Sequence, residues 1–129
     1  GDDLLVQMLP TCPLRTINTI MKAINYSIKT KNNIFSASEY DFHISFGFSI
    51  NGNNWKPVFI KSPMINGSTQ SQSQKIFYHP SGIINCLYVG SLNKNTKSIY
   101  HKASPIIISK SESFDLDTKE DFKILKRIF

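Results

Sequence analysis

Two aspartates near the end of the chain have the spacing that a metal site requires. Asp115 and Asp117 are one residue apart, and alternate residues of an extended backbone point to the same side. Two carboxylates held close together repel each other unless a cation lies between them, and Mg²⁺ takes one or two carboxylates together with waters and substrate phosphates. The pattern therefore predicts a Mg²⁺ site. The alternative is a helix N-terminus, which explains Asp117 better than Asp115.

A rigid turn near the start of the chain is the second candidate. Pro10-Thr11-Cys12-Pro13-Leu14-Arg15-Thr16 follows an apolar run and precedes a helical pattern. In open α/β sheets, ligands bind where a strand passes into a helix, and two prolines would hold the backbone amides and the Thr11 hydroxyl in place there. We expect Arg15 to brace this turn rather than to contact a ligand. A purely structural turn, with Thr16 as the helix N-cap, is the alternative.

Strands and helices of an α/β fold would position these residues. Residues 4–9 form a nearly continuous apolar run, which is typical of a strand buried on both faces of a parallel sheet. Apolar residues at helical spacing follow, and they predict a helix from Ile17 to about Lys31. Residues 34–38 are predicted as the next strand. The first forty residues thus predict a strand–helix–strand unit.

The middle of the chain has a different pattern. Residues 44–50 alternate between apolar and small side chains, 51–54 form a turn signal, and 55–60 complete a half-buried hairpin with Pro57 at an edge. Residues 62–73 are rich in Ser, Gln and Asn, which predicts a mobile loop over a site. Strands are predicted at 82–89 and 105–108, with a turn or short helix at 90–96. A final amphipathic helix is predicted at 118–129, capped by Asp117 with Glu120.

Composition bounds the class of protein. The chain has 129 residues with 40% hydrophobic side chains, which predicts one domain at 1–129. No apolar run approaches the ~18 residues that cross a membrane, and the chain does not open on the basic segment of a signal peptide. Two cysteines cannot make a disulfide framework, so we expect a reduced, cytoplasmic setting without membrane partners.

The formal net charge is +6, and the charged residues are distributed unevenly along the chain. No acidic residue lies between Asp41 and Glu112, a stretch with seven lysines, and five acidic residues follow between Glu112 and Asp121. A basic middle with an acidic end suits an anionic ligand and a divalent cation, and a solvated basic surface is the alternative. A nucleic-acid partner is not expected, because the lysines are dispersed and no RNA-recognition or helix-turn-helix motif is present.

Together the two segments resemble the sugar-acid cytidylyltransferases, which make CMP-activated acylneuraminate and related nonulosonic acids. Residues 5–16 are similar to the family's Leu-Leu-Gln-Pro-Thr-Ser-Pro-Leu-Arg-Thr, and residues 114–118 to its Ile-Asp-Ile-Asp-Thr. Residues 35–40 resemble its second strand, Gln72 precedes Tyr78 at the family's spacing, and residues 79–84 resemble its Arg-Pro-Asn-Gly-Ala-Ile. The resemblance spans essentially the whole chain, although the family's glycine- and basic-rich CTP loop has no counterpart.

The resemblance implies a fold, a reaction and a set of site residues. The fold would be α/β, the C-terminal portion of a Rossmann-like, three-layer nucleotide-diphospho-sugar-transferase sheet, with residues 44–61 as the hairpin of a homodimer. The reaction would transfer CMP from CTP to an acidic sugar and release pyrophosphate, with Mg²⁺ at Asp115 and Asp117. We do not expect this chain to catalyse it alone, and no residue is implied as catalytic. The implied substrate-binding residues are Thr11, Gln72, His79, Ser81 and Gly82, with Pro10, Pro13 and Arg15 structural at the site.

Departures from the family pattern concentrate on the sugar side. Leu9 stands where the family has Gln, His79 where it has Arg, and Ser81 where it has Asn. Neither Ser nor His reproduces the two-pronged contact of Arg with a sugar carboxylate, so we expect a nonulosonic or ketodeoxy sugar other than N-acetylneuraminate. A non-catalytic dimerisation or interaction fragment of the same family is the alternative function.

Overall fold

A four-stranded mixed sheet organises the larger part of the computed structural model, which describes residues 2–128. In chain order the elements are β1 (Leu4–Gln7), α1 (Ile17–Thr30), β2 (Ile34–Glu39), β3 (Phe48–Asn51), β4 (Asn54–Pro57), α2 (Pro63–Asn66), β5 (Tyr78–Tyr88), β6 (Ser104–Ile107) and α3 (Lys119–Ile128). The large sheet has the order β1-β5-β2-β6, with β1 antiparallel to β5 and β2 parallel to β6. The predicted mixture of helices and strands is confirmed.

The described residues divide into two units. The first comprises residues 2–38 and 80–128 and contains most of the large sheet, and the second is Glu39–His79. Strand β1 lies at an edge of the large sheet, with β5 and not β2 as its neighbour. Leu4 and Val6 pack against the core, whereas Leu5 and Gln7 are exposed. The prediction that this run is buried on both faces is therefore wrong, because an apolar run alone does not distinguish an edge strand from a central one.

Helix α1 packs on the sheet through small and aliphatic side chains. Ala23 and Ser27 are fully buried, and Ile20 and Ile24 contact the core. The buried apolar cluster consists of Cys12, Ala23, Ile34, Ile83, Ile84, Cys86, Ile106 and Ile108. The helix has the predicted ends: the Thr16 hydroxyl accepts from the Thr19 amide at 3.2 Å, and Lys31 closes the last turn in the left-handed conformation.

The left-handed Lys31 allows a first prediction. A side chain is disfavoured at its φ of 52°, whereas glycine is not, so Lys31→Gly should raise the free energy of unfolding by about 0.5–1 kcal/mol. Lys29 is the matched control, because it lies in the last turn of α1 itself. There the same change should lower stability by about 1 kcal/mol. Urea denaturation of both variants checks the pair, and two changes of the same sign would contradict the argument.

The second unit contains the predicted hairpin, in a shorter form. Strands β3 and β4 pair from Phe48↔Pro57 to Asn51↔Asn54, around Gly52 at a φ of 61°. Residues 44–46 form a 3₁₀ turn instead of the start of a strand. All four residues of β3 are exposed, so the predicted half-buried strand is wrong. The alternating pattern is present, but within this unit its apolar side packs mainly on the opposite strand, where the Phe48 and Trp55 rings meet edge to face.

Residues 62–73 are more ordered than the predicted loop. They contain α2 and a 3₁₀ turn at Ser71–Ser73. Ser62 is fully buried and caps α2 through the Met64 amide, while Gly67 ends the helix at a φ of 75°. The Gln74 side chain then donates to the Ser68 carbonyl at 2.7 Å. The polar composition of this segment thus reflects helix caps and turns as well as exposure.

The last predicted elements are present with shifted ends. Strand β5 begins at Tyr78, earlier than predicted, β6 covers residues 104–107, and a 3₁₀ turn occupies Val89–Ser91. Helix α3 has its expected start, but the predicted cap is wrong. Thr118 and Asp121 form the capping pair, since Asp121 Oδ2 accepts from the Thr118 amide at 2.8 Å and the Thr118 hydroxyl accepts from the Asp121 amide. The predicted end at residue 129 lies outside the described residues.

No helix within residues 2–128 is long and apolar enough to cross a membrane.

Candidate functional site

The turn after β1 and the acidic segment before α3 lie side by side in the first unit. The Leu116 amide donates to the Thr11 carbonyl at 2.7 Å, which joins segments from opposite ends of the chain. Asp115 and Asp117 flank that amide. Burial raises the pKa of the Cys12 thiol, and the carboxylates of Asp115 and Asp117 raise it further, so both act on the interior of the turn. The two segments that the sequence singled out separately are therefore adjacent in the structure and make up one candidate site.

Asp115 has a carboxylate oxygen without a partner. Its Oδ1 atom is buried and accepts no hydrogen bond from residues 2–128. Among the same residues, Asn85 Oδ1 is the other buried side-chain oxygen without a hydrogen-bond partner. Burying an anionic oxygen without compensation is costly. Asp117 is exposed, so the pair presents one inner and one outer carboxylate. This arrangement fits a divalent cation, which would satisfy Asp115 Oδ1.

The protein offers a small set of ligands for such a cation. No group of three or more His, Cys, Asp or Glu side chains in the described range is arranged to hold a metal. Mg²⁺ often binds through one or two carboxylates and completes its shell with waters and substrate phosphates. Asp115 and Asp117 would supply the two carboxylates of such a shell, and a phosphate-bearing substrate and waters would supply the rest.

Arg15 ties the turn to the sheet. Its Nη1 atom donates to the Ile83 carbonyl at 2.7 Å, and its Nη2 atom donates to the Leu9 carbonyl. Both acceptors are main-chain groups, so the guanidinium group binds the protein's own backbone. Pro10 and Pro13 are exposed at the surface of the same turn. The two proline rings thus restrict the backbone of the turn at the surface, and the Arg15 hydrogen bonds fix the turn to the sheet.

Ser81 and Gly82 lie on β5 and have structural partners. Ser81 Oγ donates to Ser36 Oγ at 2.9 Å, and Ser36 Oγ in turn donates to the Ser81 carbonyl. The Gly82 carbonyl accepts from the Leu9 amide at 3.1 Å. A Cβ atom at Gly82 would lie 2.2 Å from Leu9 Cδ1, so the Leu9 side chain covers this glycine closely. Leu9, which stands where the family has Gln, therefore lies directly beside Gly82, which the resemblance implies to bind substrate.

The other two implied substrate-binding residues belong to the second unit. Gln72 is exposed in the 3₁₀ turn at Ser71–Ser73. His79 is half-buried, and its ring contacts the Tyr40 ring edge to face at 4.9 Å between centroids. Thr11, Asp115 and Asp117 are thus brought together within one unit, with Ser81 and Gly82 on a strand of the same unit.

Glu112 is the site residue that sequence reasoning missed. Its Oε1 atom accepts from the Thr16 amide, the Thr16 hydroxyl and the Thr19 hydroxyl at 2.7–3.0 Å. The carboxylate thereby lies at the positive end of α1. Partial burial opposes its charge, but the hydrogen bonds from Thr19, Thr16 and Ser109 outweigh it and hold the pKa of Glu112 below its usual value. No local signal marks Glu112, because its partners are on a helix near the other end of the chain.

Glu112 should stabilise the fold in a pH-dependent way. Because its pKa is lower in the folded state, its contribution is complete above about pH 4.3, the unfolded value, and is lost as the pH falls through the folded value. Glu112→Gln should therefore lower the free energy of unfolding by about 1–2 kcal/mol at pH 7, and the difference from the natural chain should vanish in acid. Denaturation across this pH range measures it, with the exposed Glu120→Gln as control. A difference that stays constant in acid would contradict the assignment.

No family model matches this chain, and no curated protein sequence matches it. A fold class alone does not determine an activity, so the function depends on the chemistry of the site.

Proposed function

We propose that this chain is the metal- and sugar-binding portion of a cytidylyltransferase, which transfers CMP from CTP to a nonulosonic or related acidic sugar and releases pyrophosphate. The observation that carries the proposal is the hydrogen bond from Leu116 to Thr11. It holds the Pro-Thr-x-Pro turn against the Asp-x-Asp segment, the two motifs on which the family resemblance depends. The sheet would be part of a Rossmann-like, three-layer fold. Both cysteines are unpaired, as suits the reducing cytoplasm that we propose.

The site would act mainly by positioning and by balancing charge. A sugar hydroxyl attacks the α-phosphorus of CTP and pyrophosphate leaves, so negative charge on the phosphate oxygens must be neutralised. Mg²⁺ held by Asp115 and Asp117 would supply that neutralisation and would lower the pKa of the attacking hydroxyl. The Thr11 hydroxyl would orient the substrate, and Arg15 keeps the turn in place.

The sugar side supports a substrate other than N-acetylneuraminate. Ser81 offers a single hydrogen bond where the family pattern has Asn, and Leu9 adds an apolar surface against Gly82. A ketodeoxy or other nonulosonic sugar with a different pattern of substituents fits these groups better.

The CTP loop would come from polypeptide outside these residues. Strand β1 supports this part of the proposal, because no strand pairs with its outer edge in the part of the chain that the structure describes. Leu5, at 48% exposure, lies on that strand, and an unpaired edge with apolar side chains is a template for another strand. We propose that the CTP-binding segment pairs there.

Calorimetric titration with CTP and Mg²⁺ tests the proposal. The chain should bind CTP in the presence of Mg²⁺ after it is mixed with the N-terminal half of a sugar-acid cytidylyltransferase. A pyrophosphate-release assay with a panel of nonulosonic and ketodeoxy acids then identifies the substrate. The proposal is wrong if the mixture forms a complex that neither binds CTP nor releases pyrophosphate with any acid of the panel.

A non-catalytic dimerisation fragment is the second candidate, and the hairpin favours it. Ile50 is 72% exposed on β3, and the Phe48 and Trp55 rings are also exposed. An apolar surface of this kind is typical of an interface. We propose that residues 44–61 make a homodimer under either function. Self-association without any response to CTP would favour the second candidate.

The dimer is tested by sedimentation. The chain should sediment as a dimer at tens of micromolar, and Ile50→Lys should convert it to a monomer by placing a charge in the interface. Ser49→Lys is the matched control, because Ser49 is the neighbouring residue on β3 and points to its other face. A chain that is monomeric at that concentration, or variants that behave alike, would refute the hairpin interface.

A further inference from the structure

A cleft of about 1200 Å³ opens in the first unit beside the start of β1 and the end of β5. Leu4 at the start of β1, Tyr88 at the end of β5 and Lys31 at the end of α1 line it. Helix α1 has 14 residues and rises about 1.5 Å per residue, so its two ends are about 20 Å apart. Thr16 is at the end beside the acidic segment and Lys31 is at the end beside the cleft. The cleft is therefore separate from the Asp115 site.

A braced loop forms one wall of this cleft. Residues 89–103 connect β5 to β6, and adjacent asparagines hold both ends of the loop. Asn33 accepts from the Tyr88 amide at 2.8 Å and donates to Ser91 Oγ at 2.7 Å. Asn32 donates to Ser104 Oγ at 2.7 Å. A long loop closed at its base in this way is usually a functional one.

Positive charge gathers in the cleft. Lys31, Lys97 and Lys102 line it against one carboxylate, that of Asp2. In the described range none of the three lysine ammonium groups makes an ion pair or a hydrogen bond, whereas Lys123 on α3 pairs with Glu120. The negative end of α1 is also occupied by protein donors, because the Ser27 carbonyl accepts from the Lys31 and Asn32 amides and the Tyr88 hydroxyl. The three lysine side chains are therefore available to bind an anionic ligand.

Two of these lysines adopt a backbone conformation that lysine disfavours. Lys31 has a φ of 52° and Lys102 a φ of 59°, and they are the non-glycine residues with positive φ among residues 2–128. Both line the cleft. Strained backbone of this kind concentrates at ligand sites, where a side chain is retained although glycine would fit the conformation better. The strained backbone thus occurs at two of the three lysines that line the cleft.

The remaining lining fits an organic group. The apolar lining consists of Leu4, Ile28, Leu92, Ile99 and the ring of Tyr88. We propose that this cleft binds a phosphate monoester of a small organic molecule, with the phosphate on Lys97 and Lys102 and a ring or aliphatic body on the apolar side. This proposal does not depend on the cytidylyltransferase function.

Titration followed by two-dimensional NMR tests the cleft without CTP or Mg²⁺. Phenyl phosphate should shift the amide signals of residues 88–102 and bind at least about tenfold more tightly than inorganic phosphate or phenol, because only phenyl phosphate uses both parts of the lining. The double variant Lys97→Gln/Lys102→Gln should weaken that binding at least about tenfold. Lys22→Gln/Lys94→Gln is the matched control, with the same loss of charge at two lysines outside the lining, and should bind like the natural chain.

Three outcomes would overturn the proposal. One is the absence of shifts in residues 88–102 at about 10 mM phenyl phosphate, a concentration about tenfold above a Kd of about 1 mM. Another is equal weakening in the two double variants, which would mean attraction to net charge alone. The third is equal affinity for phenyl phosphate and inorganic phosphate, which would mean that the apolar lining takes no part.

Discussion

The double variant Asp115→Asn/Asp117→Asn should lose CMP transfer by at least about 100-fold in the complete enzyme and keep its fold. The loss follows because amides cannot replace the two anionic oxygens that would hold the cation in the proposed site. The fold should survive because Asp115 Oδ1 has no hydrogen-bond partner among residues 2–128, so the change removes a buried uncompensated charge rather than a contact. Pyrophosphate release measures the first effect and thermal denaturation without metal measures the second.

A direct measure of metal binding separates this prediction from the activity itself. Mn²⁺, a paramagnetic substitute for Mg²⁺, should broaden the NMR signals of residues near Thr11 in the natural chain and not in the double variant. Glu120→Gln removes an exposed carboxylate a few residues away and should change neither result. Normal turnover by the double variant, or unaltered Mn²⁺ broadening, would show that the metal is held elsewhere.

Arg15→Ala should lower the free energy of unfolding by about 2–4 kcal/mol. The change removes two hydrogen bonds from a charged donor and leaves the carbonyls of Leu9 and Ile83 without that partner. Arg15→Lys should recover less than half of the loss, because one ammonium group cannot reproduce the two-pronged geometry. Urea denaturation measures both, and Arg127→Ala, at an exposed position on α3, is the control.

The outcome for Arg15 also distinguishes a brace from a substrate-binding group. A brace predicts that stability falls and that activity, where the variant remains folded, falls by less. Unchanged stability with complete loss of substrate binding would mean that Arg15 contacts the ligand and that its backbone contacts contribute little.

The sequence predicted local features well where the signal was local. The ends of α1 followed from Thr16 and from Lys31 with its neighbours, and the turn of the hairpin followed from Gly52. The edge position of β1 could not be predicted, because pairing with β5 is a long-range property that the apolar run does not encode. The exposure of β3 could not be predicted either, since alternation indicates an apolar side but not what covers it.

The candidate site shows the same division. The motifs identified the Thr11 turn and the Asp115–Asp117 pair, and their proximity became visible only through the hydrogen bond from Leu116. Glu112 was missed because its role depends on Thr16 and Thr19, which are distant in sequence. The cleft at Lys31 and Lys102 was missed because its lysines are dispersed along the chain and meet only in the fold.

The way in which the second unit is inserted has a consequence for how this protein can change. Glu39–His79 leaves the first unit after Ser38 and returns at Pro80, and the serines Ser36 and Ser81 bind each other just inside the two crossing points. Within the second unit, the Tyr40 amide donates a hydrogen bond to the Phe77 carbonyl. For a flexible chain, shortening such an insertion about tenfold to a tight turn would lower its closure entropy cost by only about 2 kcal/mol. Evolution can therefore lengthen, replace or delete this segment while the paired strands of the first unit remain in register.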